Sequence, residues 1–194
     1  MIKKILFVLL FLSLTNTQLN SDSKINSIIE GSADAKVKLI VYESLTCTHC
    51  ATFHEDIYPN LKKDFIDKGL VKIEFKNFPL DLAAFNASKI AHCRNDGKPE
   101  ILHFLFNNQK KWAHVETLEE ANNKLIKILK DNFSDLDFKR CTSNKQIEDH
   151  ILEDRINGVK KFKINATPTL IINEKKFDNP LDYEKLKKTL KKLI

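Results

Sequence analysis

Glycine and proline are scarce in this chain: 4 and 5 of 194 residues. Long disordered linkers are rich in such residues, so the composition argues against tethered modules and for one ordinary domain with a core. No repeat period and no low-complexity tract is visible, which excludes a solenoid or array. A Gly-rich phosphate loop and a nucleophilic serine motif are both missing. Charge makes up 30% of the chain but is spread along it. The lysine runs, such as Lys160-Lys161 and Lys187-Lys188, read as solvated faces, and no nucleic-acid partner is expected. No apolar run reaches the length of a membrane-spanning helix.

The nearest approach to one is residues 5–14, an almost unbroken apolar stretch. Lys3 and Lys4 precede it, and Thr15, Asn16 and Thr17 follow. That order is the order of a secretory signal, here expected over 1–20, with a globular domain over 21–194. No A-x-A cleavage site is present, so retention as a membrane anchor stays open, and a buried N-terminal helix is the competing reading. Removing the two lysines lowers the net charge from +6 to +4. Export to the periplasm is expected, and there an even number of cysteines suggests disulfides.

Four cysteines are present: Cys47, Cys50, Cys93 and Cys141. Residues 37–42 (VKLIVY) are β-branched and apolar and predict a buried strand that runs straight into the first two. After Cys50, the residues Phe53, Ile57, Leu61 and Phe65 recur every four positions and predict a helix, kinked at Pro59 and closed by Gly69. Residues 70–75 alternate and predict a second strand. Residues 81–156 look mainly helical, with segments around 82–90, 101–106, 118–129 and 143–156, the last broken by Gly158. Strand signals return at 166–172 and 174–177, and an amphipathic helix over 181–193 follows. The outline is α/β: βαβ, a helical insertion at about 81–157, then ββα.

The C-T-H-C pair sits where the first strand meets the first helix. Thiol–disulfide exchange needs a thiolate, and the unpaired N–H groups and positive dipole end of a helix N-terminus favour one at Cys47. His49 stands next to it as a tuner, and Cys50, one turn in, is the resolving thiol. Zinc would need two further ligands, and no second C-x-x-C supplies them; no metal or cofactor is expected. Thr167-Pro168 leads into the last apolar strand. A cis bond there would leave the preceding backbone open to a substrate chain, although most such prolines are trans. Cys93 and Cys141 are expected to form a structural disulfide, two free buried thiols being the alternative. The histidines at 54, 92, 103, 114 and 150 show no ligand spacing and read as surface or satisfied core residues.

Taken together, ESLTCTHCATFH at 43–54, KNFPLD at 76–81, AHC at 91–93, FLFNNQKKW at 104–112 and NATPTLIIN at 165–173 resemble the DsbA family of exported thiol oxidoreductases. The resemblance covers about 37–193. It implies a thioredoxin fold with a helical insertion, Cys47 and Cys50 as the redox pair, and a cis Thr167-Pro168 bond beside them. It further implies unfolded exported proteins as substrates and a membrane quinone-linked, DsbB-like reoxidase as partner. Two positions depart from the family pattern. Relatives carry an acid six residues before the nucleophile, where Val41 stands here. Glu43 falls on the same strand face and is the candidate proton shuttle for Cys50, or else only a solvated side chain. The dipeptide is Thr-His where many relatives have Pro-His, so Thr48 keeps an N–H.

The expected activity is oxidation of client thiols. A reductase or isomerase of the same fold is an alternative, although 21–36 is too short for the dimerisation domain that isomerases add, and a monomer is expected. A non-enzymatic peptide-binding chaperone is the alternative from another class.

Overall fold

Val37, Leu39 and Val41 are fully buried on one side of their strand, and Ile40 and Tyr42 are buried on the other. A strand covered on both faces must be central, and the rest of the architecture follows from that. The computed structural model describes residues 24–194; the expected leader at 1–20 lies outside them. β1 (Ile28–Glu30), β2 (Val37–Glu43), β3 (Val71–Asn77), β4 (Thr169–Ile172) and β5 (Lys175–Phe177) form one sheet in the order β1-β3-β2-β4-β5. β2 and β3 are parallel, with Leu39 opposite Ile73, and the other pairs are antiparallel. The parallel pair requires a crossover, which helix α1 (48–66) provides.

The four-residue repeat in α1 lies entirely in the main core: Phe53 and Leu61 are fully buried, Ile57 and Phe65 nearly so. Each such side chain contributes roughly 1.5–3 kcal/mol by leaving water. Pro59, which cannot donate an N–H, lies between two wide π turns at Phe53–Ile57 and Lys62–Ile66. Gly69, at φ 69°, closes the helix as its sequence position predicts. The same core takes in α3 (Glu100–Asn107), α5 (Leu118–Asn132) and α8 (Tyr183–Lys191), through Leu105, Phe106, Leu125, Leu129, Leu186 and Leu190.

The opposite face is smaller. Ile40, Tyr42, Phe78, Ile164 and Ile171 form its core, and α7 (Lys145–Phe162) lies over it. Here the expectation that Gly158 ends a helix is corrected. The helix continues to Phe162 and ends at Lys163, which takes the left-handed conformation at φ 54°. Gly158 is there for packing: a Cβ on it would stand 2.7 Å from the Tyr42 ring. A polar cluster fixes the same helix to β3. Lys76 Nζ lies 2.8 Å from Asp154 Oδ1 and 2.9 Å from Glu74 Oε1, and Asn77 donates from Nδ2 to Asp154 Oδ2 at 2.8 Å.

The insertion runs through α2 (Leu82–Ala91), α3, the short α4 (Gln109–Trp112), α5, α6 (Phe138–Thr142) and α7. It ends at residue 162 rather than 157, for the reason just given. Cys93, past the end of α2, is bonded to Cys141 in α6, with Cα atoms 5.2 Å apart. Closing a loop of 48 residues removes denatured-state entropy worth about 4 kcal/mol in the chain-entropy model.

Candidate active site

β2 delivers Glu43 at its last position, and the chain then turns sharply into α1. The turn is held by hydrogen bonds: the Cys47 N–H donates to Ser44 O at 3.0 Å, and the Leu80 N–H donates to Ser44 Oγ at 3.2 Å. Cys47 has extended backbone (φ −77°, ψ 120°) and occupies the N-cap of α1. Cys50 is fully buried and Cys47 is half-exposed. Both are free thiols in this structure, in contrast to Cys93 and Cys141.

The two sulfurs are made unequal by their surroundings. The Cys50 thiol, the Thr167 side chain and the N–H groups of Cys50 and His49 all stabilise an anion on Cys47. Against the opposing effect of burial, they bring it from 9.0 to about 5. The Cys50 thiol moves the other way, pushed well up by burial, by its bond to Cys47 and by the negative potential of Glu43. Near neutral pH the resting reduced pair therefore carries one negative charge, on the outer sulfur. His49 contributes through its backbone N–H; its ring is exposed.

β4 brings the second expected element alongside. Cys47 Sγ is 3.4 Å from the Thr167 carbonyl oxygen. The Thr167–Pro168 peptide is cis, as the resemblance implies and against the ordinary preference for trans. The Thr167 hydroxyl is buried and makes no hydrogen bond of its own, which leaves it able to donate to a Cys47 anion.

Glu43 is buried, at 4% exposure, so the reading of it as a solvated side chain is overturned. Its Oε2 is 2.8 Å from His54 Nε2, and its Oε1 has no partner. Burial raises its carboxyl well above the usual range, and a charge on Cys47 raises it further. His54, also buried, is held down to about 3 by desolvation and stays neutral. His103 and His150 each have a buried Nε2 that makes no hydrogen bond, although a carboxylate oxygen lies near it: Glu30 Oε2 at 4.0 Å and Asp154 Oδ2 at 3.8 Å.

One supporting residue was invisible to spacing arguments. Gln109, buried in α4, donates from Nε2 to the carbonyl oxygens of Leu45 and Cys47, both at 2.9 Å. It holds the active-site turn from the insertion side. Nothing in the sequence around it marks that role, because its partners lie more than 60 positions away and are backbone atoms.

A parallel βαβ start, an antiparallel finish, a dithiol at the first helix N-terminus and the Thr167 carbonyl against its outer sulfur define a thiol:disulfide oxidoreductase of thioredoxin fold. The family model described as Thioredoxin matches residues 23–192. Disulfide bond formation protein D of Bacillus subtilis is 29% identical over 171 residues, covering 84% of this chain and 74% of that one. A relative from Rickettsia bellii, 26% identical, is matched over 60% of its own length. Among solved structures, alpha-DsbA1 of Wolbachia pipientis superposes with a TM-score of 0.75 at 27% identity, over 87% of this chain and 90% of that one. BdbD from Bacillus subtilis shares the fold, with a TM-score of 0.72 at 24% identity over 86% and 92%. The chain belongs to the DsbA family of thiol:disulfide oxidoreductases.

Proposed function

We propose that the protein oxidises pairs of thiols in exported proteins as they fold, with Cys47 as the reactive sulfur and Cys50 as the resolving one. The observation that carries this reading is the opposite displacement of the two thiols: Cys47 brought down to about 5, Cys50 pushed up. A dithiol whose outer sulfur is stabilised as an anion is stabilised in its reduced form, so its disulfide is a strong oxidant.

The steps follow from that asymmetry. A client thiolate attacks Cys47 Sγ of the oxidised pair; the Cys47–Cys50 bond breaks, and Cys50 leaves as a thiolate in a buried site. The neutral carboxyl of Glu43 gives it a proton. A second client thiolate then attacks the client sulfur of the mixed disulfide and expels Cys47 as the stabilised anion. The client has lost two electrons and the protein has gained them. The backbone at Thr167, whose carbonyl lies against Cys47, is where the client chain docks. Export through the segment at 1–20, action in the periplasm as a monomer and reoxidation by a DsbB-like membrane quinone-linked partner complete the reading. Among the described residues, no helix is long and apolar enough to cross a membrane.

The test is to mix the oxidised protein with a reduced, unfolded client and to equilibrate the pair against glutathione. Stoichiometric client disulfide and a pair more oxidising than glutathione are expected, and Cys47→Ser should abolish transfer. A strongly reducing pair would replace this reading with a reductase.

A further inference from the structure

The Glu43 side chain does not end at His54. His54 Nδ1 lies 3.0 Å from His103 Nδ1, and His103 Nε2 lies 4.0 Å from Glu30 Oε2. Glu30 in turn accepts from the Tyr58 hydroxyl and, at 2.6 Å, from Lys62 Nζ; Lys62 also reaches the exposed Asp67. Four titratable side chains from β2, α1, α3 and β1 thus form one file from beneath the cysteines to the edge of the sheet. Aromatic rings enclose it. His54 stacks on Phe106 at 4.0 Å and on Phe75 at 5.7 Å, and His103 packs against Tyr58 at 4.3 Å.

We propose that Glu43, His54, His103 and Glu30 form a proton relay that loads and unloads the active-site acid from the protein surface. The proposal rests on the function given above, since it supplies the proton which Glu43 delivers to Cys50. Two facts about the file point to it. Both of its inner junctions are within hydrogen-bond distance, and two of its buried atoms, Glu43 Oε1 and His103 Nε2, make no hydrogen bond, the second lying 4.0 Å from Glu30 Oε2. An ordinary structural network would satisfy those atoms.

The proton count closes with both rings neutral. In the unloaded state, His54 donates from Nε2 to the Glu43 carboxylate and His103 donates from Nδ1 to His54. A proton entering at Glu30 passes to His103 Nε2. His103 then gives its Nδ1 proton to His54 Nδ1, and His54 gives its Nε2 proton to Glu43 Oε2. One proton has entered from solvent, one has arrived on Glu43, and each imidazole has gained one and lost one. Unloading is the reverse, and ends on a Glu30 carboxyl that His103, Lys62 and Tyr58 hold at about 2 despite partial burial, so it releases its proton readily to water. The 4.0 Å step is closed by a small ring tilt or a bridging water. Burial of both histidines disfavours imidazolium and keeps the transfer in this neutral mode. Glu43 needs such a path because Cys50 and Cys47 are the other titratable groups acting on it from the front, and β2 and α1 bury it behind.

The test compares three variants in rapid mixing of the oxidised protein with a reduced two-cysteine peptide across pH. His103→Phe keeps the aromatic packing, Glu30→Gln keeps a polar side chain at the sheet edge, and Glu43→Gln is the reference. His103→Phe and Glu30→Gln are expected to slow the reaction roughly tenfold, more as pH rises and protons become scarce, while alkylation of Cys47 in the reduced protein stays unchanged. If Glu43→Gln slows the reaction but the other two keep the wild-type rate and pH profile, the relay is wrong and the shuttle stands. If Glu43→Gln itself reacts like wild type, the shuttle and the relay both fall.

Discussion

The two cysteine pairs of this protein have the same atoms and opposite fates. Cys93, just past α2, and Cys141, in α6, stand 48 residues apart and are bonded. Cys47 and Cys50 lie one turn apart and are free, with one sulfur tuned toward the anion and the other away from it. The difference lies in what surrounds the sulfurs. Around Cys47 converge a helix N-terminus, a neighbouring thiol and the Thr167 side chain; the Cys93–Cys141 bridge is tied instead into packed helices and the surface ion pairs of Arg94 with Glu100 and Asp135. A disulfide is a staple or a tool according to how well its reduced form is solvated by the protein.

Of the two substitutions that test the scaffold, removing the bridge should cost the more stability. Cys93→Ala with Cys141→Ala is expected to cost about 4 kcal/mol in denaturant unfolding, while the pH midpoint of Cys47 stays in place. A shift of that midpoint would show that the pairs are coupled. Gln109→Ala should act more weakly, at about 1–2 kcal/mol, by leaving the buried Leu45 carbonyl unpaired, while Cys47 O keeps the N–H groups of Cys50 and Ala51. It should also loosen the turn that carries Cys47, seen as faster amide exchange at residues 45–48; unchanged exchange there would remove Gln109 from the site. A third check needs no substitution: the pH dependence of the reduced chain. Because Cys47 falls from 9.0 to about 5 on folding, reduced folded protein binds fewer protons than unfolded protein in that window. Its stability relative to the oxidised form should rise as pH increases from about 5 toward 9, and be lost as pH falls through about 5.

The same contrast shows what a sequence can reveal. The four-residue repeat of α1, the mainly apolar β2 and the strand signal at 166–172 are local patterns; the first two elements stand where those patterns put them, and the third opens at Thr169, past Pro168. Three short elements, β1, α4 and α6, carry no legible period: they have three to five residues each and are held by neighbours distant in sequence. Gly158 reads as a stop because glycine weakens helices; only the Tyr42 ring on another strand explains why it continues one. At the site, the C-T-H-C motif and the Thr-Pro pair were legible as chemistry. Burial was not: Glu43 could be read either way until β2 placed it in the core, and His54 and His103 became partners of it only when α1 and α3 packed together.

The claim on which the function depends is that Cys47 is ionised at neutral pH, chiefly because Cys50 donates to it. Its rate of alkylation in the reduced protein, followed against pH, measures this directly. The midpoint should fall near 5, and should move upward in Cys50→Ala, with a smaller change in Cys50→Ser, where a hydroxyl replaces the donor. A midpoint close to the ordinary thiol value of 9.0 in the unmodified protein would contradict the account.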